Sequence, residues 1–237
     1  MKQNPAYDLP FSFKMNYTAE IEAQFAVLAN PEKAFAMQKY MKDQFPFLGI
    51  PAPLRKIVFQ ELFKEIKHLS IEERWQLIFE LWEKQEREFQ YFAVEIILRI
   101  KKNEWTVMDL QQIEKLLVTK SWWDSVDLIA SYACSALAQQ FPLEFDETVL
   151  RWTKSSNIWL QRSTLLYQLK WKSKTDLTIL SRQIQSLKGI NTFFIQKAIG
   201  WCLREYAKTN PDWVKIEVEK QHITGLAKRE ALKHLSN

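Results

Sequence analysis

Lys120-Ser121-Trp122-Trp123-Asp124-Ser125-Val126-Asp127-Leu128-Ile129-Ala130 sets two indoles and two carboxylates at the head of an apolar run. Helical spacing places Trp123 and Asp127, four residues apart, on one face and turns Trp122 and Asp124 elsewhere. Read alone, the stretch is explained by core tryptophans and a carboxylate near a helix N-terminus, where negative charge is favoured. Its place in a repeat decides the fold. Laying Phe89-Gln90, Asp124-Ser125, Leu160-Gln161 and Ile195-Gln196 over one another gives steps of 35, 36 and 35 residues. In that frame Trp123, Trp159 and Phe194 coincide, and so do Asp127, Ser163 and Ala198. A period near 35 with two helices per unit is that of an α-solenoid of HEAT or TPR type, whose equivalent helices stack and line one concave surface. Residues distant in sequence then become neighbours along one groove.

The composition agrees with an all-α chain. Only four glycines occur in 237 residues, and Leu, Lys, Glu, Gln and Ala dominate, which favours helices over a sheet with tight hairpins. Helical patterns start near Thr18 and restart at Asn30-Pro31, where Asn suits the N-cap and Pro the first helical position. Phe47-Leu48-Gly49-Ile50-Pro51-Ala52-Pro53 is a clear break, and Ser70-Ile71-Glu72-Glu73 has the capping-box pattern. The later spacing predicts helices over 86–102, 108–118, 121–140, 144–153, 157–172, 176–187, 191–208, 211–220 and 225–236. No linker is rich enough in Pro, Gly or Ser to divide the chain, so one domain over 1–237 is expected, with an irregular tail over 1–16. Apolar runs are too short and too charged to cross a membrane, and the start lacks a signal-peptide core; a cytoplasmic protein is expected. Cys134 and Cys202 lie in apolar helical patterns without metal-ligand spacing, and His68, His222 and His234 lack partners, so no metal or other cofactor is expected.

The net charge of +5 is unevenly spread. Residues 1–118 carry 16 Lys+Arg against 17 Asp+Glu, and residues 119–237 carry 17 against 11. A basic half suits a polyanionic partner. On the repeat frame, Trp123 and Asp127, then Arg162, then Lys197, Trp201 and Arg204 fall near the starts of three consecutive equivalent helices. Lys197 and Trp201, and Trp201 and Arg204, share faces at spacings of four and three. A groove so lined can follow a phosphate backbone. A lone carboxylate in it suits cleavage of a nucleoside C1′–N bond, where the sugar develops oxocarbenium-like charge that a carboxylate stabilises while orienting water. Flanking indoles offer electron-rich faces to a cation.

Phe47-Leu48-Gly49-Ile50, Val118-Thr119-Lys120-Ser121-Trp122-Trp123-Asp124-Ser125-Val126-Asp127, Asn157-Ile158-Trp159-Leu160-Gln161-Arg162 and Phe193-Phe194-Ile195-Gln196-Lys197-Ala198-Ile199-Gly200-Trp201, continuing through Leu203-Arg204-Glu205-Tyr206-Ala207-Lys208-Thr209-Asn210-Pro211, closely resemble the bacterial DNA alkylation repair glycosylases of the AlkD type. The resemblance runs from about Asn30 to the C-terminus. It implies a solenoid of HEAT-like two-helix repeats whose concave groove holds duplex DNA and releases cationic N3- and N7-alkylated purines (3-methyladenine, 7-methylguanine) for base-excision repair; a continuous groove does not require a dimer, so a monomer is expected. The lesion is not flipped, unlike the usual strategy. By resemblance Asp127 is the catalytic carboxylate, Trp123 and Trp201 contact the lesion's deoxyribose, Arg162 holds the DNA backbone, and Tyr40 lies on the helix that approaches the minor groove. Lys197 and Arg204 complete the DNA-binding set. Where the family reads Gly-Ile-Gln this chain has Gly49-Ile50-Pro51, which removes a polar contact to the duplex. The alternative is a catalytically weak or inactive DNA-binding paralogue, since a shared fold does not by itself carry activity.

Overall fold

The computed structural model describes residues 16–235, so the expected irregular tail over 1–16 falls, but for Asn16, outside the described residues. Every helix and turn of regular structure among those residues is helical. The backbone contacts divide the chain into two compact units, with the boundary between Phe92 and Ala93.

The first unit comprises α1 (Tyr17–Leu28), α2 (Pro31–Tyr40), α3 (Ala52–Ile66), α4 (Ile71–Glu83) and the start of α5 (Arg87–Ile97). Caps set the starts: Asn30 accepts from the Lys33 N–H with Pro31 behind it, and Ser70 and Glu73 close a reciprocal capping box. Ile21, Phe25, Phe59, Ile78 and Trp82 are buried at its centre. No residue of α2 is fully buried, and Phe35 and Tyr40 are 66% and 71% exposed. What anchors α2 is the loop after it. The wholly buried Glu88 accepts the N–H groups of Leu48, Gly49 and Ile50 at 3.0, 2.9 and 3.1 Å. Asn30 in turn donates its N–H to the Leu48 carbonyl at 2.8 Å. Gly49 is required there: its φ is +83°, and a Cβ would stand 2.0 Å from the Asn30 carbonyl oxygen.

The second unit contains α6 (Asp109–Val118), α7 (Trp123–Ile129), α8 (Ser135–Gln140), α9 (Pro142–Thr153), α10 (Ile158–Leu166), α11 (Leu177–Leu187), α12 (Phe193–Ala207), α13 (Pro211–Lys220) and α14 (Gly225–Leu232). They pair as repeats, a leading helix (α6, α9, α11, α13) followed by a trailing one (α7 with α8, α10, α12, α14). Trailing helices pack on trailing helices, α12 most extensively on α14. One cluster runs from Ala130 through Leu166, Ile195 and Leu203 to Ala231. The expected helix over 121–140 is interrupted by a π turn at Ala130–Cys134, where the Ser131 hydroxyl donates to the Asp127 carbonyl at 2.7 Å. Such a turn takes up one extra residue and shifts the helix face that follows it. The expected spans 86–102 and 157–172 end early, at Ile97 and Leu166, and are followed by short 3₁₀ turns at Lys102–Glu104 and Lys172–Lys174.

The repeat motif has a physical cause. Gln161 Nε2 donates to the Ser155 carbonyl at 2.6 Å, and Gln196 Nε2 donates to the Lys188 and Ile190 carbonyls at 3.0 Å each. Gln90 does the same with Leu81, Trp82 and Lys84 inside the first unit. Each glutamine satisfies carbonyls that the end of the preceding helix leaves open. At the fourth position, Ser125 bonds the Trp122 carbonyl and Ser121 bonds that of Leu117. Leading helices are tied by charge: Arg151 forks onto Glu114 at 2.5 and 2.6 Å, and Arg182 meets Asp146 at 2.8 Å. Cys134 and Cys202 are both buried, and burial pushes the Cys202 thiol up to about 12. Among the described residues no helix is long and apolar enough to cross a membrane.

Candidate active site

The site lies in the second unit, at the N-terminal ends of α7, α10 and α12. Lys120 takes a left-handed backbone (φ +47°), and Trp122, the N-cap of α7, is extended at φ −156° and ψ 160°. An extended cap residue does not follow the helical wheel, so its ring is carried toward the next repeats. Trp122 meets Phe194 at 5.0 Å between ring centroids and Trp159 at 5.6 Å, and Trp159 meets Phe194 at 4.8 Å. The repeat frame groups Trp123 with Trp159 and Phe194; in the structure the ring that joins them is Trp122. Its indole N–H is buried without a hydrogen-bond partner among the described residues. Asp124 does what a first-turn carboxylate does, accepting the Ser125 N–H at 2.9 Å.

Arg162 sits beside this cluster. Its Nε donates to Asp127 Oδ1 at 2.7 Å and its Nη2 to Oδ2 at 2.8 Å, while Nη1 donates to the Phe194 carbonyl. One guanidinium thus joins three successive trailing helices, and its planar fork matches the carboxylate in a way that a lysine could not. The pair is deeply set, with side-chain exposures of 6% for Arg162 and 14% for Asp127. Burial pushes the Asp127 carboxyl above its usual range, opposed by the hydrogen bonds and charge of Arg162, while Asp124 pushes slightly upward.

Trp123 stands one turn before Asp127 and is partly buried. Trp201 is partly buried against the core of the second unit. Lys197 and Arg204 do not stand as open cations: both hold Glu230 of α14, Lys197 at 2.8 Å. Tyr40 lies in the first unit, exposed at the end of α2. The structure therefore joins Asp127 to Arg162 and gives Lys197 and Arg204 a shared partner. Helical spacing missed Trp122, the Phe194 carbonyl and Glu230. Glu230 left a usable signal, since it follows Lys197 by 33 residues, about one repeat. Among the described residues no group of three or more His, Cys, Asp or Glu could hold a metal ion. What the arrangement can do is present a desolvated, rigidly held carboxylate whose field acts strongly on a neighbouring cation.

The chain matches the model of a family described as DNA alkylation repair enzyme over residues 21–235. It resembles the solved structure of a predicted DNA alkylation repair enzyme from Enterococcus faecalis, with a TM-score of 0.82 and 36% identity, covering 88% of this chain and 97% of that one. AlkD2 from Streptococcus mutans shares the fold at a TM-score of 0.61 and 17% identity, over 92% of this chain and 97% of that one. The smu.31 protein of Streptococcus mutans UA159 does so at 0.56 and 20%, over 77% and 96%. No curated protein matches the sequence. A repeat that places the same side-chain ties at the same helix starts, together with a match over nearly the whole length, leads to one conclusion: the chain belongs to the DNA alkylation repair enzyme family.

Proposed function

We propose that this chain is a DNA glycosylase that hydrolyses the N-glycosidic bond of cationic N3- and N7-alkylated purines in duplex DNA without flipping the base. The observation that carries the reading is the Asp127 carboxylate, desolvated, one turn from Trp123 and held on both oxygens by Arg162. An alkylated purine is already a cationic leaving group, so departure needs no general acid; the barrier lies in the positive charge that grows on the sugar. A carboxylate fixed in advance stabilises that charge without reorganising, and it can align the water that attacks C1′. In this reading Trp123 and Trp201 turn their faces to the sugar. Arg162 orients Asp127; Tyr40, from α2, contributes to holding the duplex, while Lys197 and Arg204, expected in the DNA-binding set, are engaged by Glu230.

A second reading, a DNA-binding paralogue with weak or no excision, is favoured by one specific observation. Both oxygens of Asp127 are engaged by Arg162, and Lys197 and Arg204 are both engaged by Glu230, which cancels one of their two charges. The deciding experiment incubates the protein with duplex carrying N7-methylguanine or N3-methyladenine. Release well above the spontaneous rate supports the glycosylase; salt-sensitive binding without release leaves the paralogue.

A further inference from the structure

Lys197 and Arg204 stand seven residues apart on α12, almost on one line along the helix, with Gly200 to one side of that line and Trp201 to the other. Gly200 is what lets α14 approach. A Cβ there would lie 2.3 Å from the Glu230 Cβ and 2.9 Å from the Ala227 carbonyl oxygen. That approach brings Glu230 onto both cations: Lys197 Nζ donates to Oε1 at 2.8 Å, and Arg204 Nη1 donates to Oε2. The side chain of Glu230 is 18% exposed, against 37% for Lys197 and 24% for Arg204. Lys197 and Arg204 hold its carboxyl below the usual range. The carboxylate oxygens thus engage one nitrogen of each cation that a phosphate could use, and they are carried by a neighbouring helix rather than by a loop.

We propose that Glu230 is a specificity-determining residue: by engaging both Lys197 and Arg204 beside Trp201 and cancelling one of their two charges, it keeps undamaged duplex loosely held. The proposal rests on the reading that duplex DNA meets this face. Phosphate contacts bind damaged and undamaged DNA alike, so strengthening them adds no discrimination and retains the protein on the great excess of normal sites. Cancelling one of these two charges shifts selection toward Asp127 and the indoles, which act on the lesion's own charge.

The test measures affinity for a short undamaged duplex across a salt series, comparing the natural chain with Glu230→Gln, which keeps the side chain's shape and one acceptor oxygen. Affinity should rise about tenfold at moderate salt, and the plot of log affinity against log salt should steepen by about one. Adding Lys197→Gln should then cost about tenfold in the Glu230→Gln protein, but less than about twofold in the natural chain, where Glu230 already engages that ammonium. An unchanged slope in Glu230→Gln, a weaker affinity, or no duplex binding by either protein overturns the proposal. Should circular dichroism show Glu230→Gln unfolded, Lys197→Gln alone decides: a loss of about tenfold means the lysine already serves phosphate, and a loss under about twofold upholds the inference. Base release is not the readout, so a chain that binds duplex without excising loses the glycosylase reading and leaves this one standing.

Discussion

Two forked arginine–carboxylate pairs bridge successive repeats of the second unit, and they behave oppositely. Glu114 and Arg151 join the leading helices α6 and α9, with Arg151 59% exposed, and the Arg151 fork holds the Glu114 carboxyl below its usual range. Asp127 and Arg162 join the trailing helices α7 and α10 by a fork that also donates two bonds, side-on through Nε and Nη2 where Arg151 is end-on through its two Nη, and there burial wins over the guanidinium and the carboxyl is pushed up. Each carboxylate accepts two bonds from its arginine, so the opposite shifts follow from solvent: burial is the larger cause at Asp127 and the arginine bond at Glu114. In water an ion pair is a modest staple, whereas away from water each member depends on the other and the field between them is strong.

The sharpest way to break this contrast is Arg162→Ala. It leaves a desolvated carboxylate without a partner and the Phe194 carbonyl without its donor, and should cost about 3–5 kcal/mol of stability in denaturant unfolding. A cost near that of a surface pair would mean that water reaches Asp127 freely. Next in size is Asp127→Asn, which keeps the shape and loses the charge. Base release from alkylated duplex should fall by about 10²–10³-fold with duplex binding largely retained; release at the natural rate would move the chemistry elsewhere. A pH profile of kcat/KM sharpens the comparison further. Excision needs the ionised carboxylate, and the folded protein holds the Asp127 carboxyl above its usual range, so the acid limb should lie above that of an ordinary aspartate as well. A limb at or below the ordinary value would show that Arg162 outweighs burial. The smallest effect is expected from Arg151→Ala, less than about 1 kcal/mol in the same unfolding measurement and weaker still at high salt.

Much of this was legible in the chain. The steps of 35 and 36 residues recur because Gln161 and Gln196 each tie back to the helix before them, and a tie that must reach the same carbonyls has to fall at the same register. Asn30-Pro31 and Ser70-Ile71-Glu72-Glu73 announced helix starts because capping is a local matter of four residues. Helix ends were less legible: nothing in the spacing of 157–172 separates the helix to Leu166 from the 3₁₀ turn that follows. The π turn at Ala130–Cys134 was hidden for a related reason, since it inserts one residue into a pattern that still reads as helical. Trp122 and Trp123 could be told apart by face, but not by neighbour, because an extended cap residue leaves the wheel on which such arguments depend.

Sequence by itself determined the helical period, the two-helix repeat, the helix starts and which residues share a helix with Asp127. Each of these is set by contacts within a few residues of the chain. Tertiary structure alone decided that Arg162 closes on Asp127 from 35 residues away, that Trp122 meets Trp159 and Phe194, and that Glu230 reaches Lys197 and Arg204 across Gly200. Spacing states which way a side chain points, but a charge takes its meaning from what lies opposite and from how much water has been removed. Both are set where separate repeats come into contact.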